Sequence, residues 1–547
     1  MLEFNWLNKK ASGVEIAQVE LWDVIVIGTG MGGSTTGYEL ARNGHNVLFI
    51  EKGKFLFGDF DRGDAKRHTN WTDNSSERLD RGNWPLPIKG STSFGDLEFF
   101  APLGCGTGGS SSLYASQLER FFSCDFTPKE NYPEISQTSL PENWPISYDD
   151  FKPFYRLAEN LYRVRGTPDS LNKDEQAVYI EPPQLSGRDN YLLKLFESSN
   201  LNPYRAHVAC EFKDGCMECG GVLCPKDCKN DSGKICLLPA LEKYNSSILT
   251  ECEVISFDAD AVAIKSVICR FNGSIISLKS KIVVLAAGSL FSPILLLNSK
   301  SKFWPNGLAN SSGHVGKNLM FHATVFLGVH LNTNFSTLGP RKTLSLNDFY
   351  KVNNTKLGNV QSVGVPITDE YINSFLISKI QKSSRWIQIL LHPFLVRFIS
   401  KSGAYFFKNT VIFALILEDL PYLENCVTAS PNSPNGFVFN YNYSMELQNR
   451  SELFFNLFKN IFKSKHKVFK ISGKNNINFG HACGTCRFGS DPKSSVLRSD
   501  NRTHDIDNLY ITDASFFPSS GGTNPSLTIA ANAIRVAKVI NERLSLS

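Results

Sequence analysis

Near the carboxyl end, GHACGTCRFG (residues 480–489) places His481 just before Cys483 and Cys486, a C-x-x-C pair. Such residues can bind zinc, cycle between dithiol and disulfide, or, for a neutral imidazole, take up a proton near neutral pH. Zinc needs two further ligands, and no second C-x-x-C or H-x-H lies nearby. A redox pair is expected at a helix N-terminus, whereas Gly484 and Thr485 predict a turn. A histidine packed in the core, without chemistry, is the plain alternative. What surrounds His481 must decide.

A second constellation opens the chain. In WDVIVIGTGMGGSTTGYELARNGHNVLFIEKG, the apolar run Val24–Ile27 predicts a buried parallel strand, and a helical pattern follows through Ala41. Between them Gly28, Gly30 and Gly33 give G-x-G-x-x-G, with Met31 counted among the binding residues. Gly28 permits the turn, Gly30 lets backbone approach a pyrophosphate, and Gly33 allows close packing of helix on strand. The helix N-terminus supplies free N–H groups to phosphate oxygens. A second strand, Val47–Ile50, ends at Glu51, about 20 residues on, where an acid can accept hydrogen bonds from ribose hydroxyls. The pattern predicts a dinucleotide site. The chain has only one complete fingerprint, so with FAD bound the electrons should come from a substrate and not from a nicotinamide.

Three further segments read as parts of the same site. PLGCGTGGSSS brings Gly108, Gly109, Ser110 and Ser111 into a loop whose N–H groups can face an anion or a flat ring. KIVVLAAGSLFSPILLLNS predicts a strand, a turn at Ala286–Ser289 containing Ala287, and a helix. In ITDASFFPSSGGTNPSLTIAANAI, Asp513 and Ala514 precede Asn524, a natural N-cap, and Pro525, a natural first-turn residue. Val254 completes the expected cofactor contacts.

The composition is that of an ordinary globular chain: 547 residues, 42% hydrophobic and 20% charged. At this length more than one domain is expected. We expect a discontinuous nucleotide domain over 21–125, 205–325 and 475–547, and a substrate domain over 126–204 and 326–474. A formal charge of +5 over this length does not suggest a nucleic-acid partner. The first residues show no secretory pattern, which with 13 cysteines predicts reduced thiols and a cytoplasmic location. Residues 386–420 are strongly apolar, but Pro393, Arg397, Lys401 and Lys408 break any span. They are read as buried core in preference to a peripheral membrane surface. Cys216, Cys219, Cys224 and Cys228 have spacings that suit an iron–sulfur cluster or zinc, or a plain structural loop.

Taken in order, the fingerprint with Glu51, GTGGSSS, WPISYDDFKPFYRLAENLYRVRGTP (144–168), VVLAAGSLFSPILLLNS, VGKNLMFH (315–322), EDLPYLEN (418–425) and the two carboxyl-terminal motifs resemble the glucose–methanol–choline (GMC) oxidoreductases along nearly the whole chain. The resemblance implies an α/β fold, with a Rossmann-type FAD-binding domain and an interleaved α+β substrate-binding domain. It implies oxidation of an alcohol to a carbonyl, with hydride passing to flavin N5. His481 falls on the family's catalytic base, within H-x-x-G-T-C, and Asn524 on its second polar residue. Leu113 stands where some members tether the flavin through histidine, so FAD is expected to be noncovalent; Tyr114 replaces a common asparagine. Some similar sugar dehydrogenases carry an iron–sulfur cluster in a comparable cysteine-rich loop, which would pass electrons to a partner protein or quinone. Lyase chemistry over a structural flavin is the runner-up, and a nonenzymatic flavin electron-transfer protein with an iron–sulfur cluster is the third reading. His322 is a lesser site candidate, since its motif looks structural.

Overall fold

Val24–Ile27 and Val47–Ile50 contain no polar side chain, so they suit only a sheet covered on both faces. In the computed structural model, which describes residues 5–10, 12–57, 72–172, 177–364, 368–381, 393–462, 465–471 and 477–546, they lie in parallel neighbouring strands, Leu21–Ile27 and Val47–Ile50. The sheet continues through Ser247–Leu249 on one side and Ser274–Leu285 on the other. Leu509–Ile511 adds a further parallel strand to Ser274–Leu285. That long strand has two roles: residues 279–285 run parallel to Leu21–Ile27, while 274–278 fold back antiparallel on Ile264–Phe271.

The Met31–Arg42 helix covers this sheet and buries Gly33 against the turn before it. A Cβ at Gly33 would stand 2.0 Å from the Gly28 carbonyl oxygen and 3.1 Å from the Ala286 Cβ. Because the close neighbour is backbone, the contact cannot relax by a rotamer change. Gly33→Ala is therefore expected to destabilise the protein by about 1–3 kcal/mol through overpacking. A thermal melt that left the midpoint unchanged would contradict this.

The second layer is an antiparallel sheet ordered Lys467–Lys470, Met320–His330, Thr410–Glu418, Gly358–Ser362, Leu344–Leu346, Tyr204–Arg205. Ile477–Cys483 also pairs with Met320–His330, and its register slips between Met320 and His322. The two layers belong to one α/β fold. The Ser526–Ser545 helix packs with two others: Thr528 Oγ1 meets Tyr155 OH at 2.8 Å, on the Tyr148–Tyr162 helix, whose Tyr162 OH lies 2.7 Å from Thr35 Oγ1 on the Met31–Arg42 helix.

One expectation fails. The helix Pro393–Lys408 lies in the stretch read as buried core, yet Phe394 is 78% exposed, Phe398 63% and Tyr405 82%. Its inner side, with Val396 and Ser400, is the buried one. Periodicity specifies two faces, but not which one meets the protein. Residues 382–392 of that stretch lie outside the described residues. Among the described residues no helix is long and apolar enough to cross a membrane.

Candidate active site

A single cavity of about 990 Å³ runs between the two layers. The first glycines reach it through Gly28, Gly30 and Met31, with Glu51 beside them, and the second loop through Gly109, Ser110 and Ser111. Val254, Ala287, Asp513, Ala514, Asn524 and Pro525 line it further along, and so does His481. Segments far apart in sequence thus meet around one space. Gly33 and Gly108 do not line it. Gly33 packs as described above, and Gly108, with φ +90°, donates its N–H to Thr29 Oγ1 at 3.3 Å and so fastens the second loop to the first turn.

Each acid at this cavity is fixed by donors. Glu51 accepts from Thr29 N–H (3.2 Å) and Thr29 Oγ1–H (2.6 Å) on one oxygen, and from Gly53 N–H (2.9 Å) on the other. Burial raises its pKa, and these donors oppose the rise. Asp513 accepts from Gly288 N–H (2.9 Å) and Ser292 Oγ–H on one oxygen, and from Ser515 N–H (2.8 Å) on the other. Its carboxylate ties the Ala286–Ser289 turn to the carboxyl-terminal segment. Space for a ligand exists beside these acids: a Cβ at Gly30 would meet nothing within 4 Å.

The strand Ile477–Cys483 carries His481 to the cavity wall, and Gly484, with φ +91°, makes the turn that separates the buried thiols Cys483 and Cys486. Behind His481 stands His322, with Nδ1 facing Nδ1 at 3.0 Å. The proton positions follow from the outer partners. His322 Nε2 lies 2.9 Å from the Gly521 carbonyl oxygen and 3.2 Å from that of Ser520, which can only accept, so Nε2 carries a proton. Burial pushes the His322 pKa down to about 4, leaving the ring neutral with a bare Nδ1. His481 must then donate Nδ1–H to it, and His481 Nε2 keeps an unprotonated lone pair. Burial, and then His322, hold the His481 pKa well below the usual imidazole range. The pair amounts to a neutral base with its tautomer set from behind. His322 is a lesser candidate in sequence, and its pairing with His481 is what that reasoning missed; nothing in the sequence links it to a histidine 159 positions away.

Asn524 also departs from expectation. The helix it precedes begins at Ser526 with Pro525 as N-cap, and the Asn524 side chain does not cap it. Instead Asn524 Oδ1 accepts from Gln361 Nε2–H, which turns the amide N–H₂ into the free donor at the cavity wall.

Leu113 lines the same cavity, and its hydrocarbon side chain offers no atom for a covalent link. Tyr114 donates its hydroxyl to Asn230 O at 2.6 Å. The expected metal ligands Cys216, Cys219, Cys224 and Cys228 do converge, joined by Cys210, but around a space of about 10 Å³, room for about one water. Cys210 and Cys216 sulfurs touch at 3.7 Å. Among the described residues no group of three or more His, Cys, Asp or Glu side chains is arranged to hold a metal ion. The five cysteines thus share one small space, with the Cys210 and Cys216 sulfurs in contact.

Comparison with known proteins gives the lineage. The GMC oxidoreductase family models match residues 22–324 and 425–533. The chain is 25% identical to a 6'''-hydroxyparomomycin C oxidase of Streptomyces lividus, over 96% of this chain and 92% of that one. It is 26% identical to a 2-methyl-1,2-propanediol dehydrogenase of Mycolicibacterium austroafricanum, covering 96% of each. Its fold is that of a pyridoxine 4-oxidase from Mesorbium loti, with TM-score 0.63, 17% identity, and coverage of 95% of this chain and 99% of that one. With both halves matched by its models, the chain belongs to the GMC oxidoreductase family.

Proposed function

We propose that this oxidoreductase oxidises the CH–OH group of a small alcohol to a carbonyl, with His481 as base. The observation that carries the reading is the His322–His481 contact, which leaves an unprotonated imidazole nitrogen on the wall of the cavity that also reaches the first glycines. GMC oxidoreductases bind FAD, and this cavity fits it: it has the volume, the open space at Gly30, and an acid beside the fingerprint. Gly30 and Ser110 would hold the pyrophosphate through backbone N–H groups, with Gly28 and Gly109, whose own N–H groups bond Ile50 O and Gly106 O, making the turns that present them, and Glu51 the ribose, with no covalent tether at Leu113. Bound FAD supplies a two-electron acceptor for the hydride leaving the alcohol carbon.

His481 Nε2 takes the hydroxyl proton, and the Asn524 amide N–H₂ holds the oxygen as negative charge grows on it. The N-terminus of the Ser526–Ser545 helix adds partial positive charge on the same side. We assign FAD binding to segments 21–125, 205–325 and 475–547, and substrate binding to 126–204 and 326–474. The hydroxyl-bearing molecules named for the two relatives support a polar alcohol as substrate. The electrons then pass to oxygen, a quinone or an acceptor protein. Anaerobic screening of sugars, sterols and aliphatic alcohols tests the reading: a substrate must bleach the yellow flavin, whereas turnover without bleaching would indicate lyase chemistry.

His322 gives a sharper test, because its role is to position His481. His322→Asn retains an acceptor for His481 Nδ1–H and a donor for Gly521 O, and is expected to keep activity within about tenfold. His322→Leu removes the acceptor, frees the tautomer, and should lower kcat about 10²-fold with little change in KM. In the native protein the acid limb of kcat/KM should have its midpoint below 6.5, since His481 resists protonation. A midpoint at or above 6.5, or equal losses in both variants, would refute this role.

A further inference from the structure

The helix Pro393–Lys408 turns its most apolar side outward. At about 100° per residue, Phe394, Phe398 and Tyr405 fall within about 40° of one another on its outer face. Leu395 and Ile399, each 40% exposed, extend that surface along one flank. Arg397, Lys401 and Lys408 occupy the other flank, and the helix contains no Asp or Glu. On the inner side Phe406 stacks on His330 with ring centroids 4.6 Å apart, and Phe407 packs on Phe469 at 6.2 Å. This anchors the helix to the antiparallel sheet. Lys465 and Lys467, exposed beside it, enlarge the positive rim.

Phe398 and Tyr405, large aromatic side chains kept in water on one helix face, mark a surface that meets something else. The charge identifies what. A second copy of the chain would bring two cationic helices together, whereas an anionic surface would satisfy both halves of the pattern at once. We propose that this helix docks the protein on an anionic phospholipid surface, with Phe398 and Tyr405 entering the acyl boundary. Arg397, Lys401 and Lys408 meet the headgroup phosphates. Aromatic residues on one side and Lys/Arg on the other suit a helix lying in the plane of the interface.

The test uses the full-length, flavin-loaded protein in vesicle flotation. It should float with vesicles of phosphatidylcholine plus phosphatidylglycerol, remain in solution with phosphatidylcholine alone, and be released by high salt. F398S/Y405S should weaken binding about tenfold or more through lost apolar insertion. R397Q/K401Q should weaken it too and flatten its salt dependence. All three proteins should keep the same flavin content and circular dichroism, since the altered side chains face outward. Absence of binding by the native protein to the anionic vesicles overturns the proposal, as does binding unchanged in both variants. So does light scattering that finds a native dimer converted to monomer by F398S/Y405S, because a second copy would then cover the face.

Discussion

His481→Ala is expected to lower the rate at which substrate bleaches the flavin about 10²–10⁴-fold, the usual contribution of a positioned base. The variant should stay yellow, because the backbone donors and Glu51 that we assign to the cofactor belong to other segments. The expected loss is large because no second group at hand can replace His481. His322, 3.0 Å behind it, has its Nε2 proton held by carbonyls and its Nδ1 occupied by His481 itself. Asn524 can donate but is too weak a base to accept the proton. Stopped-flow anaerobic reduction reads the step directly. A His481→Ala protein that bleaches at the native rate would end the proposed chemistry, and one that loses its colour would point to a role in holding the flavin.

The second large effect lies under the site. Lys356 is fully buried between Asp125 and Glu418, whose side chains are equally buried. Burial lowers the lysine pKa, and the two carboxylates more than reverse that, so the ammonium persists. Tyr350 donates to Asp125 at 2.7 Å and Tyr132 to Glu418 at 2.7 Å. The same acids reach the active site: Glu418 accepts from Gly521 N–H at 3.2 Å, while Tyr350 OH accepts from Gly522 N–H at 3.0 Å. Gly521 in turn presents the carbonyl that fixes His322. Lys356→Met would leave two buried carboxylates without the cation between them, a change that costs about 3–5 kcal/mol. Heating while following flavin release should find a strongly lowered midpoint. Adding Asp125→Asn and Glu418→Gln to Lys356→Met should recover part of the loss, since removing the stranded charges removes much of the penalty. Should the three changes simply add, the cluster is not acting as a compensated charge set.

Much of this molecule could be read locally. The strand–glycine–helix unit, Glu51 at the next strand end, the Ala286–Ser289 turn and the turn at Gly484 all follow from backbone requirements within a few residues. His481 stood out for the same reason, as an imidazole beside a glycine turn in a recognisable segment. Its partner did not. His322 reaches it because Met320–His330 and Ile477–Cys483 pair antiparallel with a slipped register, and register between distant strands is written in no short stretch. The orientation of the Asn524 amide depends on Gln361, 163 positions away. The Lys356 cluster joins three segments more than 60 residues apart from one another.

The cysteine segment and the Pro393–Lys408 helix show the same division. Spacing brought the thiols to one place, yet whether they surround a centre or touch in pairs depends on how the loop closes. Amphipathic periodicity gave the helix two unlike faces, and packing against His330 and Phe469 decided that the side with Val396 and Ser400 would turn inward. Sequence alone determined the strand–glycine–helix scaffold and nominated His481 as a candidate base, because short-range backbone geometry and residue chemistry suffice for both. Tertiary structure alone decided the proton's place on that base, the free end of the Asn524 amide and the outward face of the helix, because each depends on a neighbour that the chain supplies from far away.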